Sequence, residues 1–219
     1  MKKNYSLLII FSLLFSLSYS QISNLPHSTS FESVSDLGSS DSDANSKWST
    51  SASFSGAELA FTRYTGAPPT RANYGVITGP TAASDGDYYV YVESSGSTSG
   101  DDAFLTAKYN LSGYTDTEIS FKYHNAGANG RGPAYVTIQV HNITDDTWDT
   151  QYLLVSDSDD SWRTYTRDYS AHDGDVIQIW IAVNVYGYES DFAIDDIKVD
   201  ADNGVTTFYV DDSGSDDNL

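Results

Sequence analysis

The chain contains no cysteine, one methionine, five prolines and only 11 lysines and arginines against 31 aspartates and glutamates. Without cysteine there is no disulfide framework, no thiol nucleophile and no Cys-based zinc site. The shortage of basic residues leaves a formal net charge of -20, which repels phosphate backbones and anionic lipid headgroups alike and excludes nucleic acid as a partner. No His-Glu-x-x-His pattern and no Gly-x-Ser-x-Gly elbow occurs, and His27, His124, His141 and His172 are dispersed without metal-ligand spacing. Carboxylate pairs for glycoside hydrolysis arise anywhere in so acidic a chain and discriminate nothing. The domain therefore reads as non-catalytic. Sustained helical periodicity with capping signals is also missing, which removes helical bundles and α/β architectures.

What is abundant is aromatic: 17 tyrosines, nine phenylalanines and four tryptophans in 219 residues, with 39% hydrophobic residues overall. That balance suits half-buried strands and argues against disorder over most of the chain. At the start, Lys2 and Lys3 precede an apolar run from Leu7 to Leu17, and Ser18 and Ser20 follow. This is the layout of a secretory signal peptide cleaved after Ser20, and the run is shorter than the roughly 20 residues of a spanning helix. The sequence thus predicts export to an extracellular or cell-surface location with no stable membrane insertion after cleavage.

Strand candidates then follow at short spacing: 28–34, 88–93, 103–109, 118–123, 134–142, 148–155, 162–168 and 176–186. Tyr88-Tyr89-Val90-Tyr91-Val92-Glu93, unbroken by polar residues before Glu93, reads as a central strand covered on both faces. The segment through Phe54, Leu59, Phe61 and Tyr64 reads as irregular or edge strand, because Pro68 and Pro69 interrupt pairing there. Val136, Ile138 and Val140 share one face, as do Ile177, Ile179, Ile181, Val183 and Val185, so the register of both strands is well specified. Many strands without intervening helices give an all-β, two-sheet antiparallel jelly-roll sandwich. Asp41, Asp43 and Asn45 imitate the start of a calcium loop, but Ser46 and Ala52 stand where its glycine and bidentate glutamate belong, so a solvated loop is expected.

Ser190 to Val199 is the odd strand, because it carries Asp195 and Asp196 side by side between apolar neighbours. Paired aspartates are depleted in strands, so they either sit at a bulge facing water or turn toward a cation. On the Ile177 strand, Trp180 lies opposite the isoleucine row beside Gln178 and Asn184. Together with Tyr186 these residues form a polar-aromatic face that either stacks and hydrogen-bonds a sugar or lies under a loop. Trp48 and Trp162 are expected to pack.

In order along the chain, Phe31-Glu32, Trp48, Gly79-Pro80, Asp85-Gly86-Asp87-Tyr88 and Ile119-Ser120-Phe121 are followed by Asp160-Ser161-Trp162-Arg163, Asp173-Gly174-Asp175 and Ser190-Asp191-Phe192-Ala193-Ile194-Asp195-Asp196-Ile197. This succession over about residues 28–200 resembles the MAM domain, named for meprin, neuropilin and a receptor tyrosine phosphatase. The resemblance implies an extracellular sandwich for adhesion, protein association or self-association, although the cysteines of animal members are missing. By likeness to jelly-roll modules that end in a similar Ile-Asp-Asp-Ile, including carbohydrate-binding ones, Glu32, Asp85 and one of Asp195 or Asp196 are candidate ligands of a structural calcium. Such an ion takes roughly six to eight oxygens. The alternative function implied is a carbohydrate-binding accessory module of a secreted polysaccharide-degrading enzyme, its partner a cell-surface glycan.

The organisation expected is therefore a signal peptide over 1–20, a lead over 21–27, the sandwich over 28–200, and a linker with an acidic tail over 201–219. In that tail Phe208-Tyr209-Val210 before Asp211-Asp212-Ser213-Gly214 resembles the opening strand of a parallel β-helix.

Overall fold

A computed structural model describes residues 21–38, 48–50, 59–68, 78–95, 97–125, 134–153, 161–187 and 190–204. The signal-peptide, calcium-loop-like and β-helix-like segments read from the sequence lie outside the described residues. Among the described residues twelve strands are present: β1 (His27–Thr29), β2 (Leu37–Gly38), β3 (Trp48–Thr50), β4 (Phe61–Thr65), β5 (Tyr88–Val92), β6 (Asp102–Asn110), β7 (Thr115–Asn125), β8 (Tyr135–Asn142), β9 (Thr147–Leu153), β10 (Arg163–Asp168), β11 (Val176–Asn184) and β12 (Phe192–Asp202). They form two six-stranded sheets. One runs β10-β7-β12-β5-β4 with β1 added beside β12; the other runs β2-β3-β6-β11-β8-β9. Apart from the two-residue β2 beside β3, which is parallel, the strand pairs are antiparallel. Most steps from β5 onward cross from one sheet to the other, which makes the two-sheet sandwich predicted from the strand pattern. Among the described residues no helix is long and apolar enough to cross a membrane.

The inward rows are those the alternation marks. Val136, Ile138 and Val140 of β8 and Ile177, Ile179, Ile181 and Val183 of β11 are fully buried, and they meet Phe121, Phe192, Ile194 and Val90 of the opposite sheet in one core. Trp48 is fully buried beside Tyr109, as its expected packing role requires. Strand β5 is interior and covered on both faces, while β4 is the edge strand beside it. The predicted strand at 28–34 is much shorter. Phe31 turns to φ 59° and Val34–Asp36 forms a 3-10 turn capped by Ser33, whose side chain and that of Asp36 satisfy the free N–H groups reciprocally.

The double aspartate sits at a bulge. Pairing between β12 and β7 shifts register between Asp195 and Lys198, and Asp196 takes φ 48°. The inserted residue resets the alternation, so Ile194 and Ile197, three apart, both reach the core and Asp195 is left on the outer side of its sheet.

Candidate functional site

The outer face of the β6-β11-β8-β9 sheet carries the residues that alternate with the core rows. The antiparallel register places Trp148 opposite His141 and Gln178, Thr150 opposite Gln139 and Trp180, and Tyr152 opposite Thr137 and Ala182. Tyr135 lies opposite Asn184 at the end of the sheet. Trp148 is 55% exposed, Tyr152 58% and Tyr135 42%. These are large aromatic surfaces left in water on the edge strand and its neighbour, at a cost that folding itself does not recover.

The two ends of this strip are built differently. At one end the Trp148 and His141 rings stack with centroids 4.3 Å apart and an interplanar angle of 6°. His141 Nε2 is 3.0 Å from Asp146 Oδ1 in the β8–β9 turn, so the imidazole is tethered and fixes one face of the indole. Trp180 adds a tilted contact at 6.4 Å and is itself edge-on to Phe104 at 6.0 Å. At the other end Tyr135 and Tyr152 meet at 5.8 Å. Partial desolvation, then neighbouring Tyr152 and Tyr186, push the Tyr135 phenol above its usual value.

The four residues singled out from the sequence fall on this side with unequal parts. Gln178 and Trp180 face outward in mid-sheet and are half-buried. Asn184 is committed to structure, since its Nδ2 donates to Gly100 O and to Asp102 Oδ1 at 2.9 and 2.7 Å. Tyr186 lies beyond the end of β11 and is 50% exposed. Sequence reasoning missed Trp148, Tyr152 and Tyr135, the most open members apart from Tyr186. The signal was present: 148, 150 and 152 alternate, but no apolar row stands behind them to mark which face is which.

The candidate calcium ligands are arranged otherwise. Asp195 is fully buried; its Oδ2 accepts from Ser84 N and Asp85 N, both at 2.8 Å, and its Oδ1 from Asp196 N at 2.7 Å. Glu32 Oε1 accepts from Asp87 N and Tyr88 N at 3.0 and 2.9 Å. Both carboxylates thus grip one loop, and Gly86 at its tip has φ +65° with Glu32 Oε1 only 2.5 Å from where a Cβ would stand. Asp85 contributes a backbone N–H, and the Asp196 carboxylate pairs with Lys198 Nζ at 3.1 Å. Among the described residues no group of three or more histidine, aspartate or glutamate side chains converges as a metal ion needs. Of the acids read as calcium ligands, Glu32 and Asp195 thus serve here as acceptors for one loop, and Asp196 as the partner of Lys198.

No protein-family model matches the chain, and no curated protein does. Among solved structures it is similar to TmCBM61 in complex with beta-1,4-galactotriose, with 15% identity, 71% of this chain and 88% of that chain covered, and a TM-score of 0.47. It is also similar to the CBM22-1 xylan-binding domain of Paenibacillus barcinonensis Xyn10C, with 13% identity, coverage of 83% and 97%, and a TM-score of 0.46. A Stig cyclase from Fischerella sp. TAU matches at 16% identity, coverage of 71% and 84%, and a TM-score of 0.47. Likeness of this order leaves any ligand to be read from the surface itself.

Proposed function

We propose that the chain is a secreted, non-catalytic carbohydrate-binding module that uses the outer face of the β8–β9 sheet. The observation that carries this is the exposure of Trp148 and Tyr152 on a strip that also presents the amides and hydroxyls of Gln139, Thr150, Thr137 and Gln178. Aromatic planes take the C–H faces of a sugar, while amides and hydroxyls both donate and accept for its OH groups. In a chain of 31 acidic residues, among the described residues no outward side chain of β9 from Trp148 to Tyr152 is a carboxylate, and Asp146 in the adjoining turn is engaged by His141. Asp102, at the far corner, is occupied by Asn184. Adhesion or self-association, the function implied by the MAM resemblance, is favoured by one feature. Among the described residues strand β9 is a sheet edge, next to the same exposed aromatics.

A glycan array and calorimetric titration of the full chain separate these functions. Saturable binding to a polysaccharide, weakened on Trp148→Ala, is the expected result. Binding to no glycan together with concentration-dependent dimerisation by sedimentation overturns it in favour of association.

A further inference from the structure

The geometry points to a linear, neutral oligosaccharide that lies along the β8–β9 seam, parallel to the strands, with Trp148 at one end and the Tyr152–Tyr135 pair at the other. This rests on the carbohydrate-binding function proposed above and adds the axis, the minimum length and the charge of the ligand.

The axis follows from where the open rings are. Trp148 and Tyr152 stand on the same strand and the same face, four residues apart, which is about 13 Å at the rise of an extended chain. That is further than one sugar ring spans, so a single ligand touching both is a chain. Between them lie Thr150 and its cross-strand partner Gln139, and Thr137 stands opposite Tyr152. These short or amide side chains form a floor between two aromatic ends. The path across the strands is less open. From Trp148 it runs through His141, whose ring face is taken by the Trp148 indole, then Gln178 and Lys108.

The ends are also prepared for different contacts. Trp148 is held on one side by the tethered His141, so its free face is fixed before any ligand arrives and little ordering cost remains. Tyr152 and Tyr135 bring two phenol groups together and suit a hydroxyl-rich end. Charge selects in the same direction. Among the described residues no outward side chain of β9 from Trp148 to Tyr152 is a carboxylate, and the net charge of -20 opposes an anionic chain.

The test titrates the full chain with xylo-, cello- and β-1,4-galacto-oligosaccharides from monosaccharide to hexasaccharide, and with oligogalacturonates. Affinity is expected to climb with length in at least one neutral series and to level off once both ends are filled, with no binding of the uronates. Trp148→Ala and Tyr152→Ala should each lower hexasaccharide affinity roughly tenfold, the scale of a lost aromatic contact, while Lys108→Ala leaves it unchanged. Circular dichroism and melting of each variant confirm that it is folded. Length-independent binding, silence of Tyr152→Ala, or loss on Lys108→Ala overturns the seam arrangement while the module function stands; preference for uronates overturns the charge. Binding to none of these probes or to any glycan of the array overturns the function, and the seam with it.

Discussion

Both sheets carry aromatic residues on their outer faces, yet the two faces have opposite fates. On the β4-β5-β12 side, Tyr89 and Tyr91 are buried with Ala193, and Tyr64 and Trp162 close over them with ring centroids 5.2 to 6.2 Å apart. Their polar atoms are bound within the protein: Tyr89 OH donates to Gly66 O at 2.7 Å and Trp162 Nε1 to Ala82 O at 2.9 Å. On the β8–β9 side, Trp148, Tyr152 and Tyr135 remain in water. Composition does not separate the two. What does is an anchored loop. Asp195 and Glu32 hold residues 84–88 on the first face by their backbone N–H groups, and among the described residues the second face has no such cover.

The largest effect should come from treating the covered face as core. Tyr89→Ala removes a fully buried ring and its hydrogen bond and is expected to cost about 3–5 kcal/mol, measured by urea unfolding. A cost below 1 kcal/mol would mean that the cluster is a surface patch like the other.

Next is the clamp. Asp195→Ala takes the acceptor away from the part-buried N–H groups of Ser84, Asp85 and Asp196 and is expected to cost about 2 kcal/mol, with Trp162 emission shifting to the red as the loop lifts. Unchanged emission would place the cover elsewhere. Calcium, by contrast, is expected to leave the melting temperature of the wild type where it is, because among the described residues no three acids converge on one point. A calcium-dependent rise would restore Glu32, Asp85, Asp195 and Asp196 as ligands.

Asp191, buried just before β12, makes the pH dependence testable. Burial, then the charge of Glu93, push its carboxyl up to about 6, against the opposing pull of the Ser94 N–H, Ser94 hydroxyl and Thr78. A carboxyl whose folded pKa is raised contributes stability that is complete below its ordinary value of 3.8 and is lost as pH rises through about 6. The loss is about 3 kcal/mol for a shift of this size. Relative to wild type, Asp191→Asn should therefore gain stability on going from pH 4 to pH 7 in thermal melts. A constant difference across that range would show that Asp191 ionises as freely in the fold as out of it.

How much of this was legible in the sequence follows from where a period exists. The isoleucine row of β11 and the valine and isoleucine row of β8 announce face and register, because a slip would expose every member. The bulge at Asp195 and Asp196 was one of two alternatives set by strand chemistry, and the spacing of Ile194 and Ile197, three rather than two, already breaks the alternation in its favour. That Glu32 and Asp195 close on the same loop was not legible, since backbone N–H donors leave no residue signature. For the same reason acids matched to a calcium pattern became loop anchors. The binding strip was half legible. Trp180 and Gln178 stood out against a clear apolar row, whereas Trp148 and Tyr152 lie on an edge strand whose inward side carries Asp149 and Gln151. Those polar residues close the side of the sandwich, Asp149 toward Arg167 at 3.5 Å, and erase the contrast that would have revealed a face.

The smallest stability effect belongs to the open face, and its smallness is the informative part. Trp148→Ala and Tyr152→Ala remove rings that bury little on folding, so each should change unfolding free energy by within about 0.5 kcal/mol, although Trp148 gives up its stacking on His141. Set against Tyr89→Ala, that difference in the same residue class separates aromatics kept for the fold from aromatics kept for a ligand. If Trp148→Ala instead cost as much as Tyr89→Ala, the indole would be packing against something in solution. The exposed face would then be an interface between copies of the chain, and sedimentation of the wild type would show the dimer.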